Sequence, residues 1–223
     1  LAGLTRAEDL EGHSARAELS RLSAAFAQLG SLPRNARQGL ENRFGQASQK
    51  LKERIAAAEL ARARQALVDY QILHGICEQA EALAQNAQPD IGRTATLDAA
   101  WQGSAKPSTH KDLLHALEKR FAKARATVVG NGPAPEQQTL AGNAAMRNEI
   151  CLDLEILRKQ ASPPECQTDR MQRQVALLEA AMKGADEPQD RMVRRLQIEY
   201  LRQGPVPLGQ QQVLAERFGR LFP

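Results

Sequence analysis

The sequence predicts an all-α fold of tandem helical repeats, and three observations carry that prediction. Ala, Leu, Gln, Glu and Arg dominate the chain, only 4% of residues are aromatic, and Val, Ile and Thr seldom cluster; this is helix-forming composition. No run of alternating apolar and polar residues is long enough for a sheet. Third, one template recurs: a leucine with an aromatic four residues later (Leu22/Phe26, Leu97/Trp101, Leu196/Tyr200), then, roughly twenty residues on, an acidic residue and Arg-Phe (Glu41/Arg43-Phe44, Glu118/Arg120-Phe121, Glu216/Arg217-Phe218). Phe26, Gly30, Pro33, Arg43 and Phe44 map onto Tyr200, Gly204, Pro207, Arg217 and Phe218 with one offset of 174. Six of the eight aromatics, Phe26, Phe44, Trp101, Phe121, Tyr200 and Phe218, fall in these two columns. Reuse of one buried-aromatic unit points to repeats that pack mainly on their neighbours. Small apolar residues bury little area each, so modest stability and an extended shape are expected.

The elements follow in chain order. A first helix is expected over residues 6–28, weakened at its start by Gly12 and ended by Gly30 and Pro33. A long helical region follows over 35–85, with apolar residues at three- and four-residue steps from Leu40 to Leu83. It reads either as a long helical-hairpin or coiled-coil arm, or as a helix kinked near Gly45 or Gly75. Pro89-Asp90 supplies turn chemistry before the helix bearing Leu97 and Trp101. The next helix covers 109–128, and Gly130-Asn131-Gly132-Pro133 breaks the chain. Helix resumes over 134–160. Ser162-Pro163-Pro164-Glu165 reads as a helix start, and Gly184 as that helix's cap. Residues 189–203 form another helix, and Gly204 to Pro207 separates it from the last one.

A third column joins the first two. Ile76-Cys77-Glu78 with Glu81 and Leu83 matches Ile150-Cys151-Leu152 with Glu155 and Leu157. The organisation read from these columns is repeat one with its arm over 1–88, repeat two over 89–161, and an extra helix with a truncated repeat three over 162–223. The chain begins at Leu1 rather than Met and stops at Pro223, just after the third Arg-Phe, so it reads as a piece of a longer protein.

The patterns Leu-x-x-x-Trp, a Gly and Pro shortly after, and Leu117-Glu118-Lys119-Arg120-Phe121 resemble the bacterial domain-of-unknown-function 349 helical repeat family. The segment Cys151-Leu-Asp-Leu-Glu155-Ile-Leu is the closest match. Ser162-Pro163 and then Arg170-Met171-x-x-Gln174-Val175-x-x-Leu178 also resemble that family's C-terminal part. The resemblance implies a long, helix-rich, intracellular protein of tandem copies. It implies no activity and no catalytic residues. Phe26 and Tyr200 stand where the pattern has Trp.

The formal charge is +4, a mild excess with acids interspersed. Basic residues gather over 34–64, eight against Glu41, Glu53 and Glu59, and over 191–220, six against Glu199 and Glu216. Such runs form a solvated face or a phosphate-binding stripe. The candidates for partner or phosphate contact are Arg34, Arg37, Arg43, Arg120, Arg194, Arg195 and Arg217. Within the Arg-Phe columns the arginines read more simply as ion-paired, with Glu41, Glu118 or Glu216 nearby, or with Glu81 and Glu155 across the repeat, or as stacked on an aromatic. Phe44, Phe121 and Phe218 read as core anchors that reach the aromatics of the preceding helix. Trp101 reads as buried rather than as a platform for a base.

Other chemistry is sparse. His13, His74, His110 and His115 show no metal-ligand spacing. Cys77, Cys151 and Cys166 form no C-x-x-C pair. Cys77 and Cys151 suit small core residues, and Cys166 is the most exposed thiol expected. The glycine-rich 130–135 segment lacks the residues of a phosphate loop. No stretch approaches the ~18 apolar residues of a membrane span, and no signal peptide is visible. The expectation is a non-enzymatic, cytoplasmic scaffold without cofactors that offers Arg-rich helix faces to an acidic protein or a polynucleotide. The alternatives are a dedicated RNA/DNA-backbone binder and an accessory subunit of an enzyme. The 34–85 arm offers a route to self-association.

Overall fold

The computed structural model of the chain describes residues 12–28, 30, 34–86, 88–182 and 187–222, apart from the side chains at 12–14, 34–36, 91, 180 and 181. Among these residues the fold is all-α, with no strand. The elements are α1 (Gly12–Ala27), α2 (Arg34–Gln85), α3 (Ile91–Gly103), α4 (Lys111–Val128), α5 (Gln137–Leu157), a single 3-10 turn at Pro164–Cys166, α6 (Gln167–Met182), α7 (Gln189–Arg202) and α8 (Leu208–Leu221). The expected helix start over 6–11, the break at Pro33 and the cap at Gly184 lie outside the described residues.

Local chemistry sets the boundaries that can be read. Asp90 caps α3, its Oδ1 accepting from the backbone N–H of Gly92 at 2.9 Å and of Arg93 at 3.4 Å; such a cap satisfies donors that the first helical turn leaves free. Gly130, at φ 78, ends α4 in the left-handed region, where glycine carries no Cβ penalty. α2 runs for 52 residues and stays helical through Gly45 and Gly75.

Packing divides the chain into two compact units, Leu1–Ala66 and Leu67–Pro223. This division falls inside α2; the boundaries at 88 and 161 mark where sequence columns recur. In the first unit, Ala15 and Leu19 of α1 meet Leu51 and Ile55 of α2 in a small core, with Ala58 at its edge. In the second, one large core joins Tyr70, Leu73 and Cys77 of α2, Leu97 of α3, Leu113, Leu117 and Phe121 of α4, Cys151 and Leu154 of α5, and Tyr200 and Phe218 of α7 and α8. α5 is its axis and packs against α6, α7 and α8.

Each aromatic of the first column stacks on the phenylalanine of the second. Phe26 lies on Phe44 at 4.0 Å between ring centroids and 5° between planes; Trp101 lies on Phe121 at 4.5 Å and 5°; Tyr200 lies on Phe218 at 3.7 Å and 6°. Each stack closes a pair of successive helices: α1 with α2, α3 with α4, α7 with α8. Phe121 and Phe218 are buried, whereas Phe26, Phe44 and Trp101 are half-buried. Phe121→Ala and Phe218→Ala should each lower unfolding free energy by about 3–5 kcal/mol, the usual cost of deleting a buried ring. Phe44→Ala should cost clearly less. Urea unfolding of the three variants followed by circular dichroism measures the order.

Candidate functional site

The Arg-Phe dipeptide aims its two side chains in different directions, because neighbouring residues on an α-helix are about 100° apart. On α4, Phe121 faces α3, while Arg120 reaches α2. Its Nε and Nη2 donate to the two carboxylate oxygens of Glu81, each at 2.8 Å. On α8, Phe218 faces α7, while Arg217 reaches α5. Its Nε and Nη2 donate to Glu155 at 2.6 and 2.8 Å. Both are two-pronged pairs, the strong and directional form of the ion pair. Both are nearly dry: the side chains are 10% and 6% exposed in the first pair and 4% each in the second.

From Arg120 a network runs inward. Its Nη1 donates to the carbonyl of Leu201 at 2.9 Å and lies 3.0 Å from His74 Nδ1. His74 Nδ1 is also 3.1 Å from the carbonyl of Leu201, so this nitrogen sits between a donor and an acceptor, while the other ring nitrogen, Nε2, is turned toward Glu78. That Nε2 is 3.2 Å from Glu78 Oε1, within ion-pair reach but not aligned as a hydrogen bond. Glu78 also accepts from Arg147, whose side chain is fully buried. Arg147 then donates to the carbonyls of Gln203 at 3.2 Å and Gly204 at 2.8 Å, and its guanidinium sits 5.1 Å from the centre of the Tyr200 ring. The segment between α7 and α8 is thus held by side chains of α5 and α2, with Gln85 Nε2 donating to the carbonyl of Val206 at 3.1 Å. Asn143 adds a bond to the carbonyl of Pro205 at 2.8 Å. A Cβ at Gly204 would come within 2.8 Å of that asparagine amide, so a larger residue there would push the amide away from its bond to Pro205.

A second branch surrounds Glu155. The chain reverses after α5 with Lys159 at φ 56, and Gln160 N–H donates back to the carbonyl of Glu155 at 2.8 Å. This return places Ser162, whose hydroxyl donates to Glu155 and accepts from Arg170. Arg217 Nη1 also donates to Asn148 Oδ1 at 2.9 Å.

Burial shifts the protonation equilibria of this network. It pushes His74 below the usual imidazole value, and Arg120 and Arg147 add to that effect against Glu78. Burial also opposes the charge on Glu78, but His74 and Arg147 outweigh it and hold the carboxyl at about 2. The Cys77 and Cys151 thiols are fully buried and pushed up to about 12, chiefly by burial; nucleophilic thiols have lowered values instead.

Cavities lie beside both two-pronged pairs and in the first unit. One, of about 290 Å³, lies beside Glu81, Arg120, Lys123, Thr127, Pro135 and Pro205. Another, of about 390 Å³, lies beside Glu155, Ser162, Arg217 and Arg220. The third, in the first unit, is about 440 Å³ and is lined by Arg16, Leu19, Lys52 and Ile55 among others. The first two each abut one of the two-pronged pairs, whose polar groups are already engaged with each other. His74 lines none of the three.

The arginine candidates scatter. Arg120 and Arg217, expected as candidates for partner or phosphate contact, are inside the second unit and neutralised by Glu81 and Glu155. The acids nearest them in sequence are not their partners: Glu118 lies 3.7 Å from His115, and Glu216 accepts from Gln212. Arg37 is exposed and paired with Glu41 at 2.9 Å. Arg195 is exposed and within 3.4 Å of Glu187, and Arg194 is half-buried. Arg43 is exposed and has no carboxylate partner among the described residues. The side chain of Arg34 lies outside them. Trp101 is covered on one face by Phe121, and Lys106 Nζ lies 4.8 Å from its ring centre. Cys166 is half-buried.

His74, Glu78, Arg147, Ser162 and Arg170 were not singled out by sequence as site residues. Two of them carried a signal. Leu67, Tyr70, His74, Cys77 and Glu81 share one face of α2, and Leu140, Ala144, Arg147, Cys151 and Leu154 share one face of α5. Polar residues within an apolar helix line mark buried partners.

Among the described residues no group of three or more His, Cys, Asp or Glu could hold a metal ion, and no helix is long and apolar enough to cross a membrane. No family model, curated protein or solved structure matches the chain.

Two outcomes test this network. Glu81→Gln leaves the Arg120 charge buried without its counter-ion and should cost about 3–5 kcal/mol, whereas Glu81→Leu combined with Arg120→Met should recover much of the loss; urea unfolding of the single and double variants measures this. His74 binds its proton less readily when folded, so its contribution is complete above the ordinary imidazole value of 6.5 and is lost as pH falls below it. Unfolding free energy should therefore drop between pH 6.5 and 5 by up to about 1.4 kcal/mol per unit. The slope in that window should flatten in His74→Gln.

Proposed function

We propose that this chain is a non-catalytic scaffold of stacked helical hairpins that engages an acidic partner. One observation supports the reading above the rest. The recurring motif spends its chemistry on structure: the rings stack on each other and the arginines of α4 and α8 fork onto internal glutamates. An enzyme keeps unspent polar groups converging on an accessible cavity. Here His74 is enclosed, and the two fully buried thiols are held protonated.

The cations suited to a partner lie on α2 in the first unit. Arg43, Lys50, Lys52 and Arg64 are exposed and have no carboxylate partner among the described residues. Arg43, Lys50 and Arg64 share a heptad line, which puts them along one side of the helix. The tandem-repeat architecture and the similarity to the domain-of-unknown-function family belong to this proposal and rest on the recurring columns. A second reading, pairing of two copies, is favoured by α6 rather than by α2. Met171, Val175, Leu178 and Met182 are exposed by 55 to 87% at coiled-coil spacing, while Arg173 bonds Asp153 and Glu149 on the helix's other side.

The scaffold reading predicts salt-dependent binding of the full chain to polyglutamate or to a mixed-sequence polynucleotide. Lys50→Gln with Arg64→Gln should lower the salt slope for the polynucleotide by about 2, one per lost contact. Absence of binding to both probes at low salt would count decisively against an acidic partner.

A further inference from the structure

Two helix pairs of the second unit are completed by a third helix. For α3–α4 that helix is α2, which supplies Cys77 and Glu81. For α7–α8 it is α5, which supplies Cys151 and Glu155. The arrangement is the same both times. A fully buried cysteine is followed four residues later by a glutamate, and the glutamate receives the two-pronged arginine of the neighbouring Arg-Phe. Cys77 also approaches α4 directly, with Sγ 3.4 Å from the carbonyl of Leu117.

Among the described residues the α1–α2 pair has the same front without the third member. Phe26 stacks on Phe44 as the other rings do, and Arg43 precedes Phe44 as Arg120 precedes Phe121. Among its described residues, however, the first unit holds only α1 and part of α2. Arg43 is exposed without a carboxylate partner among them, and both rings are half-buried where Phe121 and Phe218 are buried.

We propose that Phe26, Arg43 and Phe44 form a docking socket for an amphipathic helix of a partner protein, one that carries a small residue and, four positions later, a glutamate. The inference rests on the scaffold reading and names its partner. A guanidinium fork is matched by a carboxylate held at fixed geometry, and the chain demonstrates that match twice in its own core. The stack covers one face of each ring, and both rings, being half-buried, keep apolar surface for the side chains of a helix. A second copy of this chain is the weaker occupant, because its own Cys-x-x-x-Glu helices already spend Glu81 and Glu155 on Arg120 and Arg217.

A helix of known complementarity tests the socket. The probe is a fluorescent peptide spanning residues 140–158, held helical by a lactam bridge on the face opposite Glu155, and titrated against the full chain by anisotropy. Wild-type protein should bind it in the micromolar range, and Arg43→Glu should weaken binding at least tenfold. A peptide carrying Glu155→Arg should bind the Arg43→Glu protein better than the wild type does. Since Arg43 is exposed, circular dichroism should show unchanged helicity in that variant. No binding by the wild type, equal binding by Arg43→Glu, or no recovery with the reversed peptide each overturns the socket. Polyglutamate binding separates the two ideas: if it persists while the peptide fails, the socket alone is wrong; if both fail, the scaffold reading falls with it.

Discussion

The fold of the second unit depends on two buried guanidinium–carboxylate forks. The core around them is mainly leucine, with Tyr70, Phe121, Tyr200 and Phe218 among it, and apolar contact is non-directional, so it excludes a shifted packing less sharply than a paired charge does. A buried fork does not tolerate sliding. Displacing α4 along α2 by one turn would strand both Arg120 and Glu81 without water and without each other, a penalty of several kcal/mol. The forks therefore fix register where the apolar surface alone is permissive. Their net contribution to stability is a separate matter, since taking both charges out of water costs about as much as their attraction returns.

The adjacency of Arg and Phe turns one dipeptide into a three-helix instruction. The phenylalanine looks back along the chain to the aromatic of the preceding helix, a local contact of low closure cost. The arginine looks to a helix 39 residues earlier in one case and 62 in the other. Ring contact closes the hairpin; ion contact docks it. The inner network extends the same logic to the backbone, because Arg120 and Arg147 bond carbonyls at the end of α7 and in the connection to α8, which would otherwise lose their water on burial.

Much of this was legible in the sequence. Helix-forming composition, Gly and Pro breaks, and the spacing of rings gave the helices, the stacking partners and the core position of Cys77 and Cys151. Glu81 and Glu155 were visible as partners because they recur in the same column, but so were Glu41, Glu118 and Glu216, which are closer in sequence. Sequence distance misleads here, since these nearer acids lie on the same helix as their arginine and point to solvent. The His74–Glu78–Arg147 network was harder to see. Charged residues at three- and four-residue steps also describe a solvated helix face, and only knowledge of which face packs inward separates the two. The apolar line from Met171 to Met182 is exposed, because α6 docks through Arg173 on its other side.

Strongly displaced protonation equilibria are a common mark of catalytic sites, but buried ion networks produce them too. The distinction lies in what the displaced groups face. Glu78 and His74 face each other and two arginines inside a closed core, and the raised thiols of Cys77 and Cys151 occupy matching positions on two helices that both dock a hairpin. A reacting group would need an open side, and each of these has a protein neighbour in that direction instead. Assembly of the helices is by itself sufficient to produce the displacement, and these residues mark where one hairpin is attached to the next.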